Sequence, residues 1–450
     1  MSERRKRNVL PSRLFMVIPI YVLVLTHLLY RLRIGRYEDA TMRHAIASFE
    51  AGDSPESTPR TPSSSRTFPP LPIVPRNESF GACLMVKGDN DLLSEWIPYH
   101  FTVLPMRYVL VASDSGNSED PNDVLKRWKI ADTGLEYNVV NSSYFETIHG
   151  PFQPDEGAEL ERINRSLRKK GLPHINSTDD SAVKQAMAHN RLIHKQRALI
   201  TYCVKSMQAK GIRWVTFFDS DEFLAINYVG VDEMAVDDEE TANETASSNS
   251  TKPFGQRHYL PPVASNATVV DIVEELQRIG DPLRSCHTVP RVRFGALDNF
   301  HCPGSEEVAS FARTHLHLER LSTLRYQKHA RKDDFSKNRF GKVFMEISEI
   351  SKEALTTVPN NIHRPFGDAC IRPITPVSEA PFYLMHYAGS WERFQGKGDA
   401  RRGYEAWKKL AYIKDSTSCC YQQSYHWLSR FVNQVGLERA KYLLGSAEQH

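Results

Sequence analysis

An apolar run that ends abruptly in acids sets the tightest limit on how this chain can fold. Residues 211–227 read Gly-Ile-Arg-Trp-Val-Thr-Phe-Phe-Asp-Ser-Asp-Glu-Phe-Leu-Ala-Ile-Asn. A turn glycine followed by the near-continuous apolar residues Trp214 to Phe218 is the pattern of a strand buried on both faces of a parallel sheet. Open α/β sheets bind ligands outside the carboxyl ends of their strands, where Asp219, Asp221 and Glu222 fall. Strand side chains alternate with period two, so Asp219 and Asp221 are expected on one side. Two adjacent carboxylates repel unless a cation joins them, and hard oxygen donors suit Mg²⁺ or Mn²⁺, which could in turn hold a diphosphate. The competing reading is an acidic turn that caps the next element.

The chain has 450 residues, enough for two or three average domains or one large α/β domain with insertions. With 57 basic against 54 acidic residues the net charge is only +3, which argues against a nucleic-acid partner. Basic residues gather at the start, where Arg4, Arg5, Lys6, Arg7 and Arg13 precede an apolar stretch over residues 14–30. A bilayer core needs about 20 apolar residues, so this stretch sits at the short end of a spanning helix. No small-residue cleavage pattern follows it, which favours an uncleaved signal anchor over a removed signal peptide. Residues 1–13 then form a cytoplasmic tail, and the remainder faces the lumen.

Residues 31–79 are read as a stem, Pro-, Ser- and Thr-rich from Asp53 to Pro75 and too poor in apolar residues to fold alone. Asn-x-Ser/Thr triplets at Asn77, Asn141, Asn164, Asn176, Asn243, Asn249 and Asn266 all follow the anchor and agree with a luminal chain. The seven cysteines lack metal-site spacing and read as one or two disulfides plus free thiols. Cys286 with Cys302 is the expected pair, and Cys83 and Cys203, in apolar contexts, are expected as buried thiols.

From Phe80 onward a βαβαβ rhythm predicts a mostly parallel, Rossmann-like sheet flanked by helices. Strands are expected at 81–86, 108–112 and 135–140, with helices at 94–103 and 121–128; Pro98 is placed in the first turn of the earlier helix. Residues 142–181 and 229–265 read as polar insertions, and 183–207 as an amphipathic helix leading into the central strand. The second half adds a helix at 269–279, strands at 286–294, 342–350 and 380–386, and an aromatic-rich helical end from Arg402. An aromatic stripe at helical spacing reads first as core and only second as a sugar platform.

Three segments resemble the glycosyltransferase family 92 catalytic domain. They are Ala82-Cys83-Leu84-Met85-Val86-Lys87 with Glu95-Trp96-Ile97-Pro98-Tyr99-His100; Trp214 through Phe223; and Met385-His386-Tyr387. Residues 387–402 look closest to a protist or algal branch of that family. The resemblance implies a GT-A fold over residues 80–415, a single Rossmann-like sheet with loop insertions, followed by a helical extension at 416–450. It implies a nucleotide-sugar donor, a divalent metal on the Asp-x-Asp motif, and inverting transfer of galactose from UDP-galactose to a glycan acceptor in the Golgi. Carried over by position, it implies Asp219, Asp221 and His386 as metal ligands, and Lys87, Asp114 and Asp219 as donor contacts. The chain departs from the family after Lys87, where Gly88-Asp89-Asn90 replaces the usual Asn-Glu. His386 also reads simply as a core histidine at a strand end.

Inversion needs a carboxylate to take the acceptor hydroxyl's proton, for which Glu392, Asp399 and Asp298 are the candidates. Trp391 beside Glu392 is expected to raise that carboxyl's pKa by desolvation. Each of the three also reads as a salt-bridged surface acid, given Arg393, Arg401 and Arg402 nearby in sequence. Arg401, with Lys397 and Arg402, is a candidate grip on the diphosphate. A different class fits the same features, a catalytically inactive luminal carbohydrate-binding or scaffold protein on a degenerate GT-A fold. A metal hydrolase does not, because His189 and His194, five apart on a helix, are poorly spaced for one metal.

Overall fold

Strand β1 (Phe80–Val86) carries no polar side chain and lies in the middle of a sheet, parallel to β2 (Met106–Ser113) on one side and to β4 (Trp214–Thr216) on the other. Helices α1 (Asn90–Val103) and α2 (Asn122–Ile130) alternate with these strands, and β3 (Glu136–Asn141) pairs parallel with β2. The computed structural model describes residues 68–71, 75, 78–114, 117–141, 143–145, 156–169, 171, 173–176, 180–226, 269–278, 286–296, 314, 316, 320–326, 328–330, 341–351, 353–356, 359, 362–366, 370, 377, 380–396, 404–411, 416–418 and 422–445. The expected anchor at 14–30 and the insertion at 229–265 lie outside these residues. Among the described residues no helix is long and apolar enough to cross a membrane.

Further along come α3 (Glu156–Lys169), α4 (Asp180–Ala209), β5 (Glu222–Ile226), α5 (Val269–Arg278), β6 (Cys286–Val289) and β7 (Arg291–Phe294). They are followed by α6 (Ser322–Arg325), β8 (Lys328–Ala330), β9 (Lys342–Glu346), β10 (Phe382–Tyr387), α7 (Trp391–Gly396), α8 (Tyr404–Ala411), β11 (Ser416–Ser418), α9 (Gln422–Val435) and α10 (Leu437–Leu444). The fold is mixed α/β with a mostly parallel sheet flanked by helices, in the order β3-β2-β1-β4-β9-β6, where β9 and β6 join antiparallel.

A single sheet was expected, and a second is present, ordered β11-β8-β7-β10-β5. The cause is Pro290. It cannot donate to a ladder, so it divides the strand expected at 286–294 into β6 of the first sheet and β7 of the second. Phe344 of β9 bridges the sheets, packing on Trp214 of its own sheet at 5.8 Å and on Phe382 of β10 in the second at 5.6 Å.

Period two along β1 and β2 aims Cys83, Leu110 and Ala112 at α4, where Ala198, Cys203, Val204 and Met207 complete one core. Gly81 is required by this approach, since a Cβ there would lie 2.6 Å from the Met207 sulfur. On the other side, Trp427 of α9 packs on Tyr99 at 5.6 Å, and Phe431 on Trp128 at 6.0 Å. Burying a large apolar side chain contributes roughly 1.5–3 kcal/mol, so the aromatic C-terminal end is integral core. The polar stretch expected at 142–181 contains α3, whose Leu160, Ile163 and Leu167 are half-buried at helical spacing. Helix α1 starts at Asn90, which places Pro98 in its interior and not in its first turn.

The cysteines pair differently from expectation. Cys83 is bonded to Cys203, joining β1 to α4, and Cys286 to Cys370. Cys83 and Cys203 are buried, as their apolar contexts require, but as a disulfide. Peptide mapping without reduction should recover Cys83–Cys203 and Cys286–Cys370 and no Cys286–Cys302 link. Replacing Cys83 and Cys203 together with serine should lower the unfolding free energy by roughly 2–5 kcal/mol, read by chemical denaturation.

Candidate active site

The acids lie on a turn. Beyond β4, the Phe217 N–H donates to Val343 O at 3.3 Å, and Phe217 and Phe218 remain buried. The Glu222 N–H then donates to Asp219 O at 3.0 Å and reverses the chain into β5. Asp219 and Asp221 therefore owe their common location to a turn and not to strand alternation. Their exposures are graded: the Asp219 side chain is 45% exposed, Asp221 20% and Glu222 0%.

Helix α1 fixes this turn from behind. β5 is an edge strand, and its outward backbone groups would be left without ladder partners. Trp96 Nε1–H donates to Glu222 O at 2.9 Å, and Tyr99 O–H donates to Leu224 O at 2.8 Å. The Leu224 N–H donates to His100 Nε2 at 3.2 Å, while His100 Nδ1–H donates to Trp96 O at 2.9 Å. The spacing of 96, 99 and 100 sets three polar tips along one helical face. Burial lowers the His100 pKa to about 3, so the ring is neutral, the state in which Nε2 can accept. Glu95 on the same helix is also buried and accepts N–H bonds from Ser322 and Thr323 at 2.7 and 2.8 Å. Desolvation nevertheless pushes its carboxyl up to about 7.

Cations converge on the acids from both sheets. Lys342, the first residue of β9, places its ammonium 2.7 Å from Asp219 Oδ2 and 3.5 Å from Glu222 Oε2. Arg291, the first residue of β7, donates from a terminal guanidinium nitrogen to Glu222 Oε1 at 3.0 Å. Glu222 Oε2 also accepts the Asp219 N–H at 2.9 Å. Burial pushes the Glu222 carboxyl up, opposed by the Lys342 and Arg291 charges. For Asp219 the upward push of burial is outweighed by Lys342, and its carboxyl lies below the usual range. His386 of β10 sits with Nε2 3.6 Å from Asp221 Oδ1 and Nδ1 3.2 Å from the Arg291 guanidinium. Burial, helped by Arg293, lowers its pKa to about 3.

The resemblance implies Mn²⁺ or Mg²⁺ on Asp219, Asp221 and His386. The structure brings these three residues together, but the donor chemistry does not suit a metal. Guanidinium groups only donate, so Nδ1 of the neutral His386 ring is the acceptor toward Arg291 and the hydrogen belongs on Nε2, facing Asp221. A metal would need the Nε2 lone pair. Asp219 Oδ2 is meanwhile occupied by the Lys342 ammonium. Among the described residues no group of three or more His, Cys, Asp and Glu side chains is arranged to hold a metal ion.

Lys87 and Asp114 follow the ends of β1 and β2, and the register Val86↔Ser113 sets them level on adjacent strands. Asp114 Oδ1 lies 3.4 Å from the Lys195 ammonium. Gly88, where the chain departs from the family pattern, has φ +62° and donates its N–H to Asn117 Oδ1 at 2.7 Å, a conformation glycine adopts without strain. Glu392 is exposed at the start of α7, and its carboxyl is lowered by its own backbone N–H and by Ser390, contrary to the expected effect of Trp391. Asp298, Asp399 and Arg401 lie outside the described residues. The main residues missed from sequence are Lys342 and Arg291, together with Glu222 as the anion they share. For Lys342 the local signal was a basic residue opening the apolar run Val343-Phe344-Met345, which does not say which acid it meets. No match was found when the chain was compared with protein-family models, curated proteins or solved structures.

The folded His100 value lies below the unfolded value of 6.5, so the neutral ring stabilises the fold fully above that pH, and its contribution is lost as pH falls toward 3. His100→Gln keeps one donor and one acceptor without titrating. The stability difference between wild type and this variant, measured by denaturant titration, should shrink between about pH 7 and pH 5. A constant difference would contradict the assignment.

Proposed function

We propose that this chain is an inverting glycosyltransferase that moves a hexose, galactose from UDP-galactose in the first instance, onto a glycan acceptor. One observation carries the reading. The acid turn Asp219-Ser220-Asp221-Glu222 lies beyond the carboxyl end of β4 in a mostly parallel sheet, and Lys87 and Asp114 follow the carboxyl ends of β1 and β2 in the same sheet. The GT-A fold and the family 92 assignment belong to this proposal and rest on the resemblance of the three motif segments. The luminal, Golgi-anchored location rests on the apolar stretch at 14–30, and two buried disulfides agree with an oxidising compartment.

In the transfer step the acceptor hydroxyl oxygen attacks the anomeric carbon, and the bond from that carbon to the β-phosphate oxygen breaks. UDP leaves with the electron pair, and the hydroxyl proton passes to a carboxylate on the opposite face of the sugar. Asp114 and Asp219, as acceptors, suit the ribose hydroxyls, and Lys87 suits the diphosphate, with Arg401 as a second cation. Glu392 stays ionised and is a base candidate with Asp298 and Asp399. The residues behind the turn act by position: Trp96, Tyr99 and His100 hold the backbone that carries Asp221.

Purified full-length protein in detergent, incubated with a panel of UDP-sugars in buffer containing Mn²⁺, should release UDP from one hexose donor. Asp221→Asn, which replaces a charged acceptor for the donor's hydroxyl groups with a neutral one, should reduce that rate by about 10-fold or more. If every donor stays intact and none raises the melting temperature, the carbohydrate-binding or scaffold reading replaces catalysis.

A further inference from the structure

The chain supplies its own cation at the acid turn. We infer that Lys342, backed by Arg291, stands where a divalent ion would otherwise be required, so that the acid turn of the ligand-free protein is not a tight divalent-cation site and takes a nucleoside diphosphate without a metal. The nucleotide half of this inference rests on the transferase reading; the cation half does not.

Reach and burial tie Lys342 to the acid turn. The Lys342 side chain is 2% exposed, and its ammonium is 2.7 Å from Asp219 Oδ2 and 3.5 Å from Glu222 Oε2, so it bridges the turn at both ends. A bare ammonium is costly to bury without anions, which ties Lys342 to these acids as firmly as it ties them to it. Arg291, with a side chain 12% exposed, occupies the other Glu222 oxygen. The same guanidinium faces His386 Nδ1, which directs the Nε2 hydrogen at Asp221. A small divalent ion entering between Asp219 and Asp221 would meet one carboxylate oxygen already bound to an ammonium and an imidazole presenting a hydrogen. It would also approach two fixed positive charges, which repel it in proportion to its own double charge.

A site whose anions are already compensated has different substrate chemistry. Asp219 and Asp221 remain strong hydrogen-bond acceptors, and hydroxyl groups of a ribose or hexose are the partners that such acceptors take. The diphosphate then depends on cations of the chain. Lys87, level with Asp114 at the adjacent strand ends, is one such cation.

Two measurements on the wild-type full chain decide the matter. With Mn²⁺ alone, the electron paramagnetic resonance signal of the free ion should keep its full intensity on adding an equimolar amount of protein. With UDP, the rise in melting temperature should be the same in EDTA as in Mn²⁺. Loss of the free-ion signal, or a UDP shift that disappears in EDTA, overturns the inference while leaving the transferase reading intact. A UDP shift absent in both buffers overturns the nucleotide reading, and the Mn²⁺ signal still decides the cation claim. Lys342→Met should acquire Mn²⁺ binding, read as a fall in the free-ion signal. Should that variant fail to fold, the wild-type measurements stand alone.

Discussion

Glu222 is the carboxylate on which the two halves of this fold meet. Its side chain is 0% exposed, and an uncompensated ionised group in that position would cost several kcal/mol. Compensation comes from both sheets, with Lys342 on β9 of the first and Arg291 on β7 of the second. Its Oε2 accepts the Asp219 N–H, its own N–H closes the turn on Asp219 O, and its carbonyl accepts Trp96 Nε1–H. One residue thus fixes the sheet-to-sheet relation, the shape of the acid turn and the contact with α1.

The same arrangement explains why α1 carries a run of polar-tipped aromatics in a buried position. An exposed edge strand invites pairing with other chains, and β5 is such an edge. Covering it with apolar groups alone would leave Glu222 O and the Leu224 N–H and C=O unsatisfied, at about 1–3 kcal/mol each. Trp96, Tyr99 and His100 cover the strand and meet all three groups. The turn that begins β5 is consequently held on rigid elements, a condition for placing Asp219 and Asp221 against a ligand within a fraction of an ångström.

Much of this was legible in the sequence wherever the information is local. The period-two and helical patterns located β1, β2, β3, α2, α4 and α5 within a few residues, and the apolar run ending in acids located the turn. What escaped depends on contacts between distant segments. Lys342 lies over a hundred residues from Asp219, and nothing local marks it as a partner. Cysteine pairing is non-local for the same reason, so Cys370 and Cys203 could not be chosen over Cys302 from spacing. Pro290 was visible, but its effect, sending one apolar segment into two sheets, follows only from the second sheet's existence. Glu392 shows the limit of neighbour arguments: Trp391 adjoins it in sequence, yet the carboxylate points to solvent and meets Ser390.

The central claim is that buried Lys342 and Glu222 form one interdependent charge pair across the two sheets. A double-mutant cycle with Lys342→Met and Glu222→Gln tests it most directly, with unfolding free energies measured at neutral pH. Either single change removes one of two charged partners, since Arg291 still faces Glu222 and Asp219 still faces Lys342, and should cost roughly 1–3 kcal/mol, and the double variant should lose much less than the sum of the two. Losses that simply add would contradict the account, because they would mean that the two groups are buried side by side without depending on each other.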